Sequence, residues 1–311
     1  MTGPGPSTRP RPWRIAQALL ALAVVALAVR TLARHWSEFV AQPVQWQISP
    51  IWLGASALIV WLCYALLVEA WRRVVISMDQ RLDYASAARI CMLSNLGKYV
   101  PGKVWAIAGT AFLSRQAGVE PAAAVTSAVL LQALAVASGV ALVAFVAPAT
   151  LSGMSPAFRV ATAAVGGAAI LGVAALSWPP AARALQRLVP IPGLRLRAVP
   201  PAVMAVGLGA NALAWAGYAI AFQCLLRGLA PAATLRWADA AAVFTTSYLV
   251  GLVAVFAPGG IGPRESLFVL LLQGPLGLKL ATAMALASRL LLTVTELGAA
   301  APFLIRKGAS R

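Results

Sequence analysis

Charged residues are scarce in this chain. Only 11% of its 311 residues are charged and 61% are hydrophobic, whereas a soluble globular domain is about 25% charged and about 45–50% apolar. No polar stretch is long enough to fold separately, and several apolar runs exceed the roughly 18 residues that a membrane-spanning helix requires. The composition excludes an ordinary soluble protein and predicts one integral membrane domain.

Residues that bind metals or form disulfides are also few. The chain has one histidine, His35, and three cysteines, Cys63, Cys91 and Cys224, with no pair at short spacing. This pattern is not that of a disulfide framework or a zinc site. The sequence contains no catalytic triad and no Walker-type phosphate-binding loop. We therefore expect neither a metal nor a cofactor.

Positive charge, in contrast, is in excess. Lys and Arg number 25 against 8 Asp and Glu, which gives a net charge of +17. No basic segment carries a nucleic-acid-binding motif, so we expect no nucleic-acid partner. With the N-terminus in the cytoplasm, 15 of the 25 basic residues fall on cytoplasmic segments, 6 on outside segments and 4 at membrane depth. This bias obeys the positive-inside rule and predicts that both termini are cytoplasmic.

The apolar runs predict an all-α fold, a polytopic membrane helix bundle. Residues 1–12 are rich in Pro and Arg and predict a disordered cytoplasmic tail, and residues 13–311 form the membrane domain. The predicted spans cover residues 13–33, 51–68, 122–147, 160–178, 203–226, 238–257 and 280–305. After the second span we expect a polar loop, and Glu69 to pair with Arg72 and Arg73 at the helix end.

Proline and glycine interrupt the helical pattern twice. The interruptions read NLGKYVPGKVW at 95–105 and APGGIGPRE at 257–265. Proline removes a backbone donor, and irregular backbone is tolerated at membrane depth only inside protein or beside a water-filled cavity. We therefore predict two re-entrant helical hairpins, at residues 85–113 and 239–274. The charge bias requires the first to enter from the cytoplasm and the second from outside, which is the pattern of inverted repeats around a transporter's central site.

The first interruption supplies a group of polar residues at a helix break, namely Asn95, Lys98, Tyr99 and Lys103. The two lysines lie five residues apart across the Pro-Gly pair. Both amines can face one anionic group, such as a lipid phosphate. The alternative is that they extend to the headgroup region of the bilayer.

The second interruption combines glycines with a charged pair: Gly259, Gly260, Gly262, Arg264 and Glu265. The glycines expose the backbone, and Arg264 beside a helix N-terminus makes an anion site through free amides and the helix dipole. Glu265 can pair with a cation or carry a proton. The alternative is a structural turn with an internal Arg–Glu pair.

The last span carries two charges, Arg289 and Glu296, seven residues apart on one helical face with Thr293 between them. A charge at the bilayer centre costs roughly 2.5–3.5 kcal/mol, so such residues face a protein interior or a cavity. We predict that they belong to the substrate site. A structural salt bridge, with Arg264 or Glu265 as partner, is the alternative.

The two interrupted motifs together resemble the signatures of the lysylphosphatidylglycerol synthase transmembrane family, also called the flippase-like domain family. The resemblance covers nearly the whole chain. It implies a bacterial or archaeal cytoplasmic-membrane protein with two re-entrant elements that moves or handles a lipid. By match to the family's motifs, the resemblance implies that four residues are functional: Lys98, Lys103, Arg264 and Glu265. The full synthase has a soluble catalytic domain after its membrane domain, so we expect that this chain, which ends at Arg311, does not make aminoacylated lipid by itself.

Three functions are consistent with these observations. The first is a flippase for an anionic phospholipid or a polyprenyl-phosphate-linked lipid, with anionic headgroups as its partners. The second is a membrane enzyme or accessory subunit in a lipid-linked sugar, isoprenoid or aminoacyl-lipid pathway, for which Glu265 is the best acid or base. The third is a partner that anchors or regulates a lipid-synthesising enzyme. The inverted pair of interruptions favours the flippase, and the missing soluble domain weakens the case for an enzyme. The sequence is compatible with a monomer or an oligomer.

Overall fold

The computed structural model describes residues 47–99, 104–150, 156–175, 178, 180, 199–254, 257 and 260–305. Throughout these residues the regular structure is helical, which confirms the predicted all-α class. The helices are α1 (Pro50–Ile76), α2 (Tyr84–Asn95), α3 (Val104–Gln116), α4 (Pro121–Thr150), α5 (Pro156–Ala174), α6 (Pro201–Leu229), α7 (Trp237–Val253) and α8 (Pro263–Ile305). A 3-10 turn, Leu96–Tyr99, follows α2. The predicted tail at 1–12 and the first predicted span at 13–33 lie outside the described residues.

Four of the described helices, α1, α4, α6 and α8, are long and apolar enough to cross a membrane. Their outer faces expose large apolar side chains, among them Ile51, Phe145, Leu213 and Leu290. Such faces are unfavourable in water but match lipid tails, which are as apolar as leucine. These helices support the prediction of a polytopic membrane protein.

Helix α1 is longer than the sequence predicted, because it continues past Val68 to Ile76. The predicted ion pairs are present within the added turns. The Glu69 carboxylate accepts hydrogen bonds from Arg72 Nε at 2.7 Å and from Arg73 Nε at 2.8 Å. Pairs at i,i+3 and i,i+4 stabilise a helix, so the charged segment extends α1 where a loop was expected.

Small residues bring α1 and α6 together. A Cβ added to Gly217 would lie 2.5 Å from Cys63 Sγ, so any larger residue would displace the Cys63 side chain. The Ser56 hydroxyl donates a hydrogen bond to the Ala221 carbonyl at 2.6 Å. Close approach at small residues and hydrogen bonds between helices are typical of packing within a membrane. Helix α6 thereby becomes the centre of the main core cluster.

The first hairpin consists of α2, the 3-10 turn and α3. A Cβ on Gly97 would lie 2.6 Å from the Ala106 backbone nitrogen, and one on Gly109 would lie 3.4 Å from Ser94. The paired positions move in opposite directions along the chain, so α2 and α3 are antiparallel. The Pro-Gly pair of the first interruption, within residues 100–103, lies outside the described residues.

Helix α8 is divided by Gly277, whose φ of 75° and ψ of 157° are not helical. The division gives a short arm, residues 263–276, and a long arm, residues 278–305. The Gly- and Pro-containing stretch QGPLG, at 273–277, predicts a turn from sequence alone. The break occurs at its last residue, and the preceding four residues stay helical.

The second hairpin consists of α7 and the short arm. A Cβ on Gly260 would lie 2.8 Å from the Gly251 carbonyl oxygen, and the rings of Phe244 and Phe268 meet edge to face with centroids 6.5 Å apart. In these contacts the residue number falls along α7 as it rises along the short arm, so the two helices are antiparallel. The depth of both hairpins in a membrane, and the inverted repeat, stay predictions.

Candidate functional site

The two hairpins open on one cavity of about 620 Å³. The first hairpin contributes residues close to its tip, the second contributes the junction of α7 with the short arm, and the long arm, α1, α4 and α6 complete the wall. Pockets that hold small ligands measure about 300–1,000 Å³. The fold therefore converts two distant sequence interruptions into one site.

An ion pair between Lys98 and Glu296 joins the first hairpin to the long arm. Glu296 is only 5% exposed. Its other carboxylate oxygen accepts a hydrogen bond from the Tyr99 hydroxyl at 2.6 Å, and Tyr99 lies 3.3 Å from the Thr293 hydroxyl. A buried carboxylate is costly unless it is paired and hydrogen-bonded, so the first hairpin supplies both partners that Glu296 needs.

Arg264 is the most deeply buried cation of the site, at 3% exposure. Its guanidinium lies 5.5 Å from the ring centroid of Phe244 and 5.8 Å from that of Phe268. It lies 3.5 Å from Glu265 Oε1 and donates to the Ser288 hydroxyl at 3.3 Å. Its Nε has no hydrogen-bond partner within the described part of the chain. A buried guanidinium with an unused donor at a cavity suits a phosphate or carboxylate.

The local sequence explains where Arg264 lies. Gly260 and Gly262 adopt φ values of 72° and 97°, which other residues rarely adopt. Pro263 begins α8, the position where proline is favoured. Glu265 reaches back to accept the Gly262 N–H at 2.8 Å, as the third residue of a helix does in a capping box. The helix start therefore orients Arg264 toward the cavity.

Glu265 is not among the cavity-lining residues and is held by cations. Besides Gly262 and Arg264, it contacts Arg289, whose Nη1 lies 3.4 Å from Glu265 Oε1. Arg289 also lies over the Tyr99 ring, 5.9 Å from its centroid. The structure thus contains the salt bridge that was the alternative for Arg289, although Arg289 lines the cavity as well. It connects the long arm to both hairpins.

Seven of the predicted site residues line the cavity: Asn95, Lys98, Tyr99, Gly260, Arg264, Arg289 and Glu296. Gly262 and Glu265 lie directly beside it, at the start of α8. The remaining two, Lys103 and Gly259, lie outside the described residues.

Sequence reasoning missed the uncharged part of the cavity wall. Gln132 of α4 and Asn211 of α6 line it, together with the indoles of Trp71 and Trp215. The available signal was a side-chain amide in the middle of a long apolar helix, since polar side chains in a span face the bundle interior.

The charges on the cavity wall favour an anion. Within the described residues that line it, three are cationic, Lys98, Arg264 and Arg289, and Glu296 is the carboxylate. An excess of one sign in a low-dielectric cleft concentrates ions of the opposite sign. In the same part of the chain, no group of three His, Cys, Asp or Glu residues could hold a metal ion.

Apolar spans surrounding two broken hairpins that meet at a mainly apolar cavity with charged side chains in its wall define a class of polytopic membrane protein with a central site. The chain belongs to the family described as the lysylphosphatidylglycerol synthase TM region, whose model matches residues 15–297. This family is a membrane domain found in flippase-like and lipid-related proteins. The resemblance seen in the two motifs is confirmed. None of the curated proteins matches the chain.

Proposed function

We propose that this protein is a flippase that moves an anionic phospholipid or a polyprenyl-phosphate-linked lipid across the cytoplasmic membrane of a bacterium or archaeon. The observation that supports this most strongly is Arg264, which is buried at an electropositive cavity with Nε unpartnered within the described residues. In this proposal the phosphate binds at Arg264, and the acyl or polyprenyl tails stay in the lipid.

The physical requirement for such a protein is to replace the water around a phosphate. A charge that enters hydrocarbon without partners is expensive. Arginine offers a planar group of donors that matches phosphate geometry, and Lys98 and Arg289 line the same cavity. Together these cations supply donors that a lipid phosphate loses when it leaves the headgroup region.

The contacts of the long arm suggest how access to the site changes. Lys98–Glu296 holds the first hairpin to the long arm, and Arg289–Glu265 holds the second. Among the described residues, the main core cluster contains none of the first hairpin, whereas the second hairpin packs into it through Phe244 and Phe268. The first hairpin can therefore separate from the long arm without unpacking that core, which opens the site to the face that this hairpin enters from. Glu296 then balances charge or carries a proton when phosphate occupies Lys98.

A membrane enzyme is less well supported. Its best acid or base, Glu265, accepts a backbone N–H, contacts two arginines and does not line the cavity. A general acid or base must reach the substrate proton within about 3 Å or through one water. We also propose that a lipid-synthesising enzyme is a partner of this protein. The protein itself acts as a monomer or as an oligomer.

The direct test is lipid translocation in proteoliposomes. Purified protein is reconstituted with a trace of fluorescent phosphatidylglycerol, and dithionite then bleaches the label in the outer leaflet. We expect the wild-type protein to make the inner-leaflet label accessible and Arg264→Gln to slow this at least about tenfold, since it loses a charged hydrogen-bond donor.

Arg227→Gln is the matched control, because Arg227 lies over the Trp52 ring and is not among the cavity-lining residues. It should translocate at the wild-type rate. Wild-type protein that moves neither phosphatidylglycerol nor a polyprenyl phosphate faster than empty liposomes would overturn the proposed function.

A further inference from the structure

Glu296 is the one carboxylate among the described residues that line the cavity, and none of those residues is a histidine. The other ionisable groups of this lining are amines, guanidinium groups, phenols and a thiol, which ordinarily keep their protons at neutral pH. A carboxylate inside a membrane is a typical element of a proton pathway. Glu296 is therefore the group of the described lining that is suited to gain and lose a proton during a transport cycle.

Within the described residues, both hydrogen bonds to the Glu296 carboxylate come from the first hairpin. Lys98 Nζ donates to Oε1, and the Tyr99 hydroxyl donates to Oε2 at 2.6 Å. The Glu296 side chain is only 6% exposed, so water does not replace these donors freely. An ionised carboxylate that is buried without partners is costly and takes up a proton instead. Separation of the first hairpin from the long arm is therefore linked to protonation of Glu296.

The other elements around the cavity do not supply a second cation for Glu296. The titratable groups that they contribute to the lining are three phenols and a thiol: Tyr64 from α1, Cys91 from α2, Tyr218 from α6 and Tyr248 from α7. None of these donates a hydrogen bond to Glu296 in the described structure, and the Tyr64 hydroxyl lies 3.3 Å from the Thr295 hydroxyl. The two arginines of the lining, Arg264 and Arg289, contact Glu265. Among the described residues, Lys98 is thus the cation that stabilises ionised Glu296.

A bound phosphate competes with Glu296 for this same cation. The Lys98 side chain is 25% exposed and lines the cavity, so a phosphate in the cavity can reach its amine. Two negative groups that share one amine repel each other, and like charges at close range favour the protonated form of one of them. Glu296 is the group that loses its cation, so it is the group that takes the proton.

We infer that the protein carries one proton together with each lipid, and that Glu296 is the proton site. When the phosphate takes Lys98, Glu296 binds a proton from water on the side from which the lipid comes. When the phosphate leaves, Lys98 pairs again with the carboxylate, and the proton passes to water on the side of release. This inference rests on the proposed function, because it names the ion that moves with the lipid through the same site.

The test applies a pH gradient and a membrane potential separately to proteoliposomes that contain a trace of short-chain fluorescent phosphatidylglycerol. Extraction by albumin measures the share of label in the outer leaflet. With valinomycin and equal potassium on both sides, we expect an interior about one pH unit more alkaline to concentrate the label in the inner leaflet, up to about tenfold at one proton per lipid. Pyranine trapped inside should report acidification in step with the lipid, and empty liposomes give the spontaneous rate.

A potassium diffusion potential without a pH gradient should leave the wild-type distribution unchanged, because a lipid with one negative charge and its proton move as a neutral pair. Glu296→Gln keeps the shape of the protonated side chain and cannot exchange a proton. It should exchange the two responses, so that the potential moves the label and the pH gradient does not. Movement under the potential also shows that this variant folds and binds lipid.

Glu120→Gln is the matched control, because Glu120 is exposed and is not among the cavity-lining residues. It should respond to the pH gradient as the wild-type protein does. If Glu296→Gln moves no lipid, the two wild-type measurements decide the question without it.

Wild-type redistribution that follows the potential and ignores the pH gradient would overturn the inference and leave the proposed function standing. Redistribution driven by a sodium gradient at equal pH would overturn it as well. Accumulation by Glu296→Gln under the pH gradient would show that the proton binds elsewhere. An absence of lipid movement by the wild-type protein under every condition would overturn the proposed function itself.

Discussion

Lys98 and Glu296 are 198 residues apart in the chain and form an ion pair across the cavity. The pair connects the tip of the first hairpin to the long arm of α8. Arg289, two turns before Glu296, contacts Glu265 at the tip of the second hairpin, where the short arm begins. One helix thus contacts the tips of both hairpins through charged side chains, and the site depends on all three elements.

Removing one member of the Lys98–Glu296 pair should destabilise the protein. Lys98→Met leaves Glu296 buried with the Tyr99 hydroxyl as its remaining hydrogen-bond donor among the described residues, and breaking a buried pair costs about 3–5 kcal/mol. Because the Lys98 side chain is 25% exposed, we expect the lower end of this range. The measurement is the Tm of the detergent-solubilised protein.

The double variant Lys98→Met/Glu296→Gln provides the internal comparison. It should recover most of the lost Tm, because no unpaired carboxylate is left, while transport stays low. Arg73→Met removes the ion-pair partner of Glu69 at a side chain that is 54% exposed. It should lower the free energy of unfolding by less than about 1 kcal/mol. A double variant no more stable than Lys98→Met would show that the buried charge does not matter.

Arginine should not be replaceable by lysine at position 264. Arg264→Lys keeps the charge but loses the planar fork and the flat contact with Phe244 and Phe268. We expect at least about a tenfold loss of anionic lipid transport with a smaller change in Tm. Arg227→Lys, outside the cavity lining, should transport normally. Wild-type transport by Arg264→Lys would mean that charge alone suffices and that the guanidinium does not bind phosphate.

Glycine should be required at position 260. Gly260 has a φ of 72°, and a Cβ there would lie 2.8 Å from the Gly251 carbonyl oxygen. Gly260→Ala should therefore destabilise the protein by about 1–3 kcal/mol and reduce transport by displacing Arg264. Gly209 has open space around it, so Gly209→Ala should raise the free energy of unfolding by up to about 1 kcal/mol. The measurement is the thermal unfolding of both variants. Equal stabilities of Gly260→Ala and Gly209→Ala would contradict the requirement for glycine at position 260.

Patterns within a single element could be predicted from the sequence. Long apolar runs predicted the four helices that can cross a membrane, and the Pro-Gly interruptions predicted the two breaks between antiparallel helices, because both follow from backbone hydrogen bonding in lipid. The extension of α1 could not be read from hydropathy, since it depends on Glu69 pairing with two arginines. The turn predicted over 273–277 contains the break, which lies at its last residue, Gly277, while the first four residues stay helical.

Partners across the bundle could not be predicted in the same way. Sequence reasoning placed Arg289 and Glu296 on one face and suggested Arg264 or Glu265 as partners. Glu265 is indeed the partner of Arg289, but Glu296 pairs with Lys98. The choice depends on how close the first hairpin comes to α8, which no local pattern encodes. Trp71 was missed for the same reason, because its environment is made by other helices.

The central claim is that the tips of both hairpins lie at membrane depth, and fluorescence quenching measures this most directly. In a variant with Cys63, Cys91 and Cys224 replaced by alanine, bimane is attached at Leu96→Cys or Ile261→Cys, beside the two tips. Arg81→Cys, in the exposed loop between α1 and α2, serves as the headgroup-level control.

Nitroxide is then placed either on lipid headgroups or midway along the acyl chains. The account predicts that the acyl-chain nitroxide quenches bimane at 96 and 261 more strongly than the headgroup nitroxide does, with the reverse order at 81. Stronger quenching by the headgroup nitroxide at either tip would place that interruption at the membrane surface, and the proposed lipid site would be contradicted.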